Sequence, residues 1–474
     1  MRYTDQRQRL LTYYFDTPDG ALMRAGFALR IRREGRRWIQ TVKGGGGSVG
    51  GLHRREEYET LVDGPTPDFD AIPRGPLQTL LLDGPVRACV GPIFTTRFSR
   101  LTRSVELADG TLAEVAFDRG EVIAGDVSTP LCEIELELRQ GQVAGLLGVA
   151  RALVRDGGVW PEDVSKAARG YRLLAGQSTI QPSTAEASAE RSPKRWSDLV
   201  GDALARGLRH LQANVGAVRQ NDPDPEYIHQ IRVAVRRLRT LVTLARRVDD
   251  SSLLKHLRRE LAWLGDALSA ARDWDVLIDE TIPQALYQRP TPSGHRRLLS
   301  DAHARSAEAR VLASAAVNSP RYAELMIDLL AWGLRLDADI SKRAVRTTAR
   351  NLLQRPYRQT QKLAQPERLT NDEGRHALRL ACKKLRYTCE ALAPAFDRAR
   401  TAPFIAALAQ LQTTLGALND SAVAEQRLAE LPAGRAETLR RLIVRLTRQR
   451  AEFELAALPV RWTAFMATQP FWKR

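Results

Sequence analysis

A chain of 474 residues is too long for one ordinary hydrophobic core, so two or three domains are expected. Its 43% hydrophobic and 27% charged residues are the balance of a soluble globular protein. No apolar run approaches the roughly 20 residues of a membrane-spanning helix, so no membrane insertion is expected. The formal charge of +17 is unevenly spread: Met1–Gly176 holds 24 basic and 23 acidic residues, leaving 48 and 32 in the remainder. That asymmetry points to a polyanionic partner for the second part alone. The start of the chain has no apolar signal core, and Cys89, Cys132, Cys382 and Cys389 show neither a CxxC pair nor metal-finger spacing. A cytoplasmic protein with reduced thiols is expected.

From Met1 to Gly176, Gly and Pro punctuate short runs of alternating polarity. The alternation is visible in Phe27–Arg32, Trp38–Lys43, Leu112–Phe117 and Leu131–Leu138. Turn signals at Pro18-Asp19-Gly20, Asp83-Gly84-Pro85 and Ala108-Asp109-Gly110 separate such runs, which predicts an antiparallel sheet that curls or closes. A helix is expected at Val143–Asp156. The run Gly44–Gly51 lacks the Lys-Ser/Thr that ends a phosphate-cradling loop and is read as a flexible hairpin loop.

Charges on these strands repeat with period two. Arg30 and Arg32 leave one face together, as do Arg55, Glu57 and Glu59, and Glu133, Glu135 and Glu137. For any single strand a solvated outer face accounts for this. Several strands sharing the habit, with apolar residues between, suggest acids facing bases inside a curled sheet. Such an interior would be intolerable if dry and empty. A triphosphate with divalent cations would use both sets, bases on phosphate oxygens and carboxylates on Mg2+ or Mn2+.

The ordered strings YYFDTPDGALMRAGFALRIR (Tyr13–Arg32), TVKG (Thr41–Gly44), RREEYE (Arg54–Glu59), FTTRFSR (Phe94–Arg100), AEVAFDRGEV (Ala113–Val122), EIELEL (Glu133–Leu138) and SKAARGYRLL (Ser165–Leu174) resemble the CYTH domain of triphosphate tunnel enzymes. The resemblance implies an eight-stranded antiparallel tunnel that binds triphosphate compounds and hydrolyses them with a metal ion. It implies phosphate ligands at Arg30, Arg32, Lys43, Arg55, Arg97 and Lys166, and metal-binding carboxylates at Glu133, Glu135, Glu57 and Asp118. The family opens with a Glu-x-Glu-x-Lys strand, and no equivalent stands upstream of Tyr13. Either the true start lies upstream, and an active metal-dependent triphosphatase or polyphosphatase is expected, or a wall of the tunnel is lost. Two metal carboxylates and one cation are then missing, and for the chain as given poor triphosphate hydrolysis is the expectation.

Residues 177–194, QSTIQPSTAEASAERSPK, read as a linker between a domain at 1–176 and another at 195–470. Beyond it the apolar period becomes 3.6. Amphipathic stretches run through Trp196–Gln220, Pro225–Arg247, Leu253–Ala271, Arg296–Asn318, Tyr322–Leu336 and Ser341–Leu363, then Glu373–Ala393, Ala402–Leu418, Ala422–Ala429 and Ala433–Leu455.

The strings HQIRVAVRRLR (His229–Arg239) and HALRLACKKLR (His376–Arg386) repeat at an offset of 147, and the register persists to Leu268–Val276 against Leu415–Val423. The helical part is therefore two copies of one bundle. At about 100° per residue, His229, Arg232, Arg236 and Arg239 share one stripe, and Ala234, Leu238, Ile231 and Val242 the other side. His376, Arg379, Lys383 and Arg386 repeat the stripe, with Cys382 and Cys389 on the apolar side and read as core. Solvated faces normally mix signs, because acid–base pairs at i,i+4 add a few tenths of a kcal/mol and like pairs cost as much. Neither stripe contains an acid, which favours a bound anion over a solvated face.

The two stripes, with the LG…RD/ND turn after each, resemble the CHAD domain (conserved histidine α-helical domain) over roughly Ser192 to Pro470. That resemblance implies two four-helix bundles in pseudo-twofold arrangement around a basic cavity that binds inorganic polyphosphate. Lys255, His256, Arg258, Arg259, Arg346, Arg350, Arg355 and Arg358 are lesser candidates for the same surface. The expectation is an α+β protein of two domains, an antiparallel β-tunnel-like sheet followed by an all-α pair of pseudo-symmetric four-helix bundles. Its expected partners are polyphosphate or triphosphate, with an association with polyphosphate granules. Nucleic acid is the weaker alternative, because aromatics make up only 6% of the chain and none interleave the stripes.

Overall fold

The computed structural model describes residues 5–176, 181–186, 193–290, 292–336, 344–369, 371–432 and 436–473. The chain divides into two compact units, Met1–Gln181 and Pro182–Arg474. The linker expected over 177–194 lies for the most part outside the described residues. Of its described residues, 181–186 and 193–194, those from Pro182 on belong to the second unit. Asn214 Nδ2 donates to the Ser183 carbonyl and Asn214 Oδ1 accepts from the Ser183 N–H, each at 3.0 Å.

The first unit runs β1 (Gln6–Asp16), α1 (Ala21–Arg24), β2 (Ala28–Glu34), β3 (Arg37–Val49), β4 (Leu52–Val62), α2 (Pro76–Leu81), α3 (Gly84–Cys89), β5 (Gly91–Glu106), β6 (Leu112–Ala124), β7 (Val127–Gln140), α4 (Val143–Arg155) and α5 (Lys166–Leu174). Among the described residues the sheet has seven strands in the order β4-β3-β2-β1-β5-β6-β7, where the resemblance implied eight, and each described pairing is antiparallel. The sheet curls. Lys43 on β3 and Glu135 on β7 lie within electrostatic reach, although five strand spacings would part them by roughly 24 Å in a flat sheet.

Strand alternation divides the apolar residues between two clusters. Phe15, Leu29, Ile31 and Val42 pack on one face with Leu22, Ile72, Leu77 and Leu81. Leu10, Tyr14, Phe94, Phe98, Val122 and Leu131 line the other with Ala167, Tyr171 and Leu173 of α5. Two features fix α5. The buried Asp16 carboxylate accepts from the N–H groups of Thr17, Leu22 and Met23 and, at 2.7 Å, from the Tyr171 hydroxyl. A Cβ on Gly170 would lie 2.2 Å from the Phe94 ring, so the helix seats directly on β5. The glycine-rich run is the hairpin expected, but β3 continues through it. A bulge separates Gly44 from Gly47, the turn is Gly50-Gly51, and Asp163 anchors it through Ser48 Oγ at 2.6 Å and Gly51 N–H at 2.7 Å.

The second unit contains α6 (Trp196–Arg219), α7 (Pro225–Ala245), α8 (Ser252–Ala267), α9 (Ser269–Val276), a π-helical turn at Leu277–Thr281, α10 (Ile282–Ala285), α11 (His295–Val317), α12 (Pro320–Leu334), α13 (Val345–Leu363), α14 (Asp372–Leu392), α15 (Arg398–Ala429), α16 (Glu437–Ala456) and α17 (Leu458–Ala467). The 147-residue offset carries α6 onto α13, α7 onto α14, α8 with α9 onto α15, and α11 onto the later part of α16 and most of α17. The copies differ in places that the periodicity did not show: α11 is continuous where its counterpart breaks between α16 and α17, and the turn after α8 also differs. Copy one breaks at Leu268, where Ser269 Oγ donates back to the Asp266 carbonyl at 2.7 Å and competes with the helix ladder. Copy two runs unbroken through Ala429. An unexpected α17 closes the chain over an aromatic cluster of Tyr357, Phe404, Phe465, Phe471 and Trp472.

Candidate functional site

Register decides what faces the inside of the curled sheet. Arg30 pairs across β2–β3 with Thr41, Lys43 across β3–β4 with Glu57, Arg100 across β5–β6 with Asp118, and Asp118 across β6–β7 with Glu133. Cross-strand partners share a face, so these side chains converge. Arg30, only 7% exposed, and Lys43 both bind Glu57, at 3.2 and 3.0 Å. Arg32 pairs with Glu34 at 3.4 Å. Nε of both arginines and the hydroxyls of Thr12 and Thr96 are buried there without a hydrogen-bond partner among the described residues. Donors left over in a buried place are what a phosphate oxygen would accept from.

The opposite pole is acidic. Asp118, Glu133 and Glu135 bring three carboxylate oxygens within 4.8 Å of one another. Lys166, the first residue of α5 and 5% exposed, sets its ammonium among them, 2.7 Å from Asp118 and 2.8 Å from Glu135, and also against Glu133. Arg100 bonds Asp118 at 2.7 Å and also reaches Glu135. Burial opposes charge on Glu135, but Lys166, Arg100 and Lys43 outweigh it and hold the carboxyl far below its usual range. The same carboxylates overcome burial at Lys166 and hold its ammonium above the ordinary lysine value. At Lys43 burial and Arg30 prevail over Glu57, and its pKa falls. Three hard oxygen donors at this spacing are a set that a hard divalent cation accepts.

Two expected ligands lie elsewhere. Arg97 shares no face with Arg100: it points outward, 67% exposed in its side chain, and its Nε donates to Glu121 at 3.1 Å. Glu57 stands at the basic pole and not with the acidic trio. Arg55 is exposed on β4, opposite the Gly45-Gly46 bulge. Arg100 is the interior residue missed. Its signal is parity, since it alternates in step with the buried Phe94 and Phe98.

In the second unit α7 and α14 pack together and bring the two stripes into one site. Arg232 donates to the Gly265 carbonyl at 2.8 Å, and the Arg236 guanidinium lies 4.7 Å from the centre of the Tyr387 ring on α14. Arg379 is buried, and Nε of both Arg236 and Arg379 lacks a partner among the described residues. Burial, Arg379, Arg236 and Arg232 together bring Lys383 down to about 8 against the opposing pull of Asp420. Burial and Arg272 lower His229. Arg386 is partly satisfied by Glu390 at 2.7 Å and Gln412 at 2.9 Å, whereas Arg239 and His376 are exposed. The aligned acids take different roles. Asp273 pairs with Arg427 of the other copy at 3.0 Å, whereas burial holds Asp420 above its usual range despite Arg379 and Lys383. Tyr387, Gln412 and Arg427 carried no signal outside the fold. Of the lesser candidates, Lys255, His256 and Arg259 are engaged by Asp250, Asp328 and Glu260, and Arg346 by the Ala395 carbonyl. Arg350 has a buried Nε without a partner, and Arg258 and Arg358 are exposed. Cys382 and Cys389 are fully buried in the core, as expected, and burial pushes the Cys382 thiol up to about 12.

Known proteins resemble each unit. The CYTH domain model matches residues 3–171 and the CHAD domain model residues 202–429. The inorganic triphosphatase of Haemophilus influenzae is 36% identical over 170 residues, 34% of this chain and 44% of that protein, so the chain spans less than half of that relative's length. An uncharacterised protein of Mycobacterium tuberculosis is 26% identical over 465 residues, covering 89% of this chain and 82% of that one. The crystal structure of the CHAD domain from the plant Ricinus communis matches with a TM-score of 0.55 at 30% identity, covering 61% of this chain and 98% of that chain.

Proposed function

The chain is a two-domain protein, a CYTH domain followed by a CHAD domain, and from that premise we propose that its helical unit binds inorganic polyphosphate along the paired stripes. The supporting observation is the convergence of Arg232, Arg236, Arg379 and Lys383, none of which makes an ion pair among the described residues. Like charges held together and partly desolvated are destabilising until an anion neutralises them. No metal is needed, because the ligands are cations. The test is titration of the full chain with long-chain polyphosphate in the presence of a chelator, beside duplex DNA of equal phosphate count at the same ionic strength. Tighter binding of polyphosphate supports the reading, since a stiff duplex about 20 Å wide cannot enter a cleft between helices. Equal affinity overturns it in favour of a general polyanion surface.

In the sheet unit the proposed ligand is triphosphate or short polyphosphate. Arg30, Arg32 and Lys43 would donate to its oxygens, with Arg55 at the rim and Arg100 in the place first given to Arg97. Lys166 would turn from carboxylate to phosphate. Asp118, Glu133 and Glu135 would hold Mg2+ or Mn2+, which when bound neutralises phosphoryl oxygens and lowers the pKa of a coordinated water. Glu57 would orient Arg30 and Lys43. The acidic trio and the identity to an inorganic triphosphatase favour a second reading in which this unit also hydrolyses the terminal phosphoryl group. Metal-dependent phosphate release that Glu135→Gln abolishes would establish hydrolysis. Tight triphosphate binding without release would leave the unit a binder.

A further inference from the structure

The helical unit carries a second concave basic feature that the stripes do not include. A cleft of about 370 Å3 is lined by Arg247 just beyond α7, Arg355, Pro356 and Gln359 on α13, and Ala381 and Lys384 on α14. Its volume falls within the roughly 300–1,000 Å3 range of small-ligand sites. On α14, Lys384 lies about 100° round the helix from Lys383, so the cleft opens on a different face from the stripe. Three cations meet here without an acid. None makes an ion pair among the described residues, and no carboxylate supports Arg247 or Lys384 electrostatically. Burial and the neighbouring arginines depress Lys384, and burial and Arg355 depress Arg247.

The cleft is not a by-product of the repeat. At the 147-residue offset Lys384 corresponds to Arg237, but Arg355 corresponds to the buried Leu208, and Arg247 corresponds to Pro394. The constellation therefore occurs in one copy only. Two planar guanidinium forks and one ammonium match a compact, multiply charged oxyanion. No aromatic side chain lines the cleft to stack on a base.

We propose that this cleft is a second anion site, which takes a short condensed phosphate such as pyrophosphate or the end of a longer chain. The proposal rests on the reading of the helical unit as a phosphate binder. A chain end suits it because a terminal phosphoryl group carries a second titrating oxygen and hence more charge than an interior one.

The test is acylation of lysines in the full chain by a limiting amine-reactive reagent, read for each lysine by peptide mass spectrometry. Pyrophosphate at about ten times its Kd should slow acylation of Lys384 about tenfold. The protection should persist in Arg232→Ala/Arg379→Ala and vanish in Arg355→Ala. In that variant long-chain polyphosphate should still protect Lys383, which shows an intact fold. No protection, equal protection by sulfate at matched ionic strength, or loss of protection with the stripe variant overturns the proposal. Long-chain polyphosphate should protect Lys384 in proportion to its chain ends. Protection in proportion to total phosphate would put a chain interior in the cleft and overturn an end site. Failure of Lys383 to respond to polyphosphate, with Lys384 protected by pyrophosphate, would instead sink the stripe reading and leave the cleft standing.

Discussion

The two units handle the same residue types in opposite ways. Inside the sheet each cation has a carboxylate within reach: Arg30 and Lys43 share Glu57, Arg100 has Asp118 and Glu135, and Lys166 has three acids. On the helices Arg232, Arg236, Arg379 and Lys383 make no ion pair among the described residues: Arg232 holds a carbonyl, Arg236 faces a ring, and Asp420 pulls on Arg379 and Lys383 without pairing with either. A sheet interior brings side chains from many strands together, so acids and bases can neutralise each other at close range. A helix stripe is a single row, and charge that its neighbours do not cancel stays available. A ligand in the sheet must therefore displace existing ion pairs, whereas a polyanion on the stripes meets cations already poised for it.

The strongest way to break this contrast is charge reversal on one stripe. Arg232→Glu/Arg236→Glu/Arg239→Glu, or Arg379→Glu/Lys383→Glu/Arg386→Glu, should each weaken polyphosphate binding by at least about 10³-fold, because several charge-assisted contacts turn repulsive. Helical circular dichroism should largely remain, since the apolar faces hold most of the packing. The melting temperature should fall, because Arg379 is buried and Arg232 holds the Gly265 carbonyl. Salt gives the next largest effect. Raising it from 50 to 200 mM should lower polyphosphate affinity on the order of 10³-fold if about six phosphates are neutralised. Triphosphate bound in the sheet should lose much less, because its site exchanges one set of ion pairs for another. Isothermal titration at several salt concentrations separates the two.

Within the sheet, Arg30→Ala or Lys43→Ala should weaken triphosphate binding roughly 10–100-fold, at one or two charged contacts each, and leave polyphosphate binding unchanged. Equal losses for both ligands would merge the two sites and end the comparison. Lys383 gives a smaller, proton-linked effect. Its folded pKa of about 8 lies below its ordinary 10.5, so between these values the unfolded chain binds more protons. Stability from this group is thus lowest below pH 8 and rises as pH climbs toward 10.5. A bound polyanion restores the charge, so binding near pH 9 should take up part of a proton. Calorimetry in buffers of different ionisation enthalpy should show that uptake, and Lys383→Arg should abolish it with binding changed only a few-fold. Least disruptive is Gly170→Ala. Its methyl would press on Phe94 and cost about 1–3 kcal/mol, lowering the melting temperature by several degrees and shifting Lys166, with the stripes untouched.

Much of the candidate site was legible because both secondary structures impose a short period. Arg30 with Arg32 and Glu133 with Glu135 could be put on common faces from alternation, and the two stripes from 100° steps and the 147-residue repeat. Asp118 and Lys166 came from resemblance. Neither residue type nor spacing tells that an ammonium from α5 will lie among Asp118, Glu133 and Glu135, since that depends on how a helix seats on β5. The hairpin at Gly44–Gly51 was expected but its order was not, for a similar reason: glycine runs suggest freedom, and the anchor, Asp163, is over a hundred residues away.

What the sequence determined by itself is periodic and local: a strand-rich first part, a helical repeat after it, the charge excess on the second, and which side chains leave each element together. The tertiary structure decided which face of β5 points inward, and so turned the parity of Arg100 with Phe94 and Phe98 into a place in the interior that Arg97 lacks. It also decided that Asp273 would answer Arg427 across the copies, and that Arg247, Arg355 and Lys384 would meet around one cleft. Alternation and helical pitch are set by bond geometry within a few residues. Which faces meet is set by burying apolar area over the whole fold, where small differences in packing choose among partners that the chain leaves far apart.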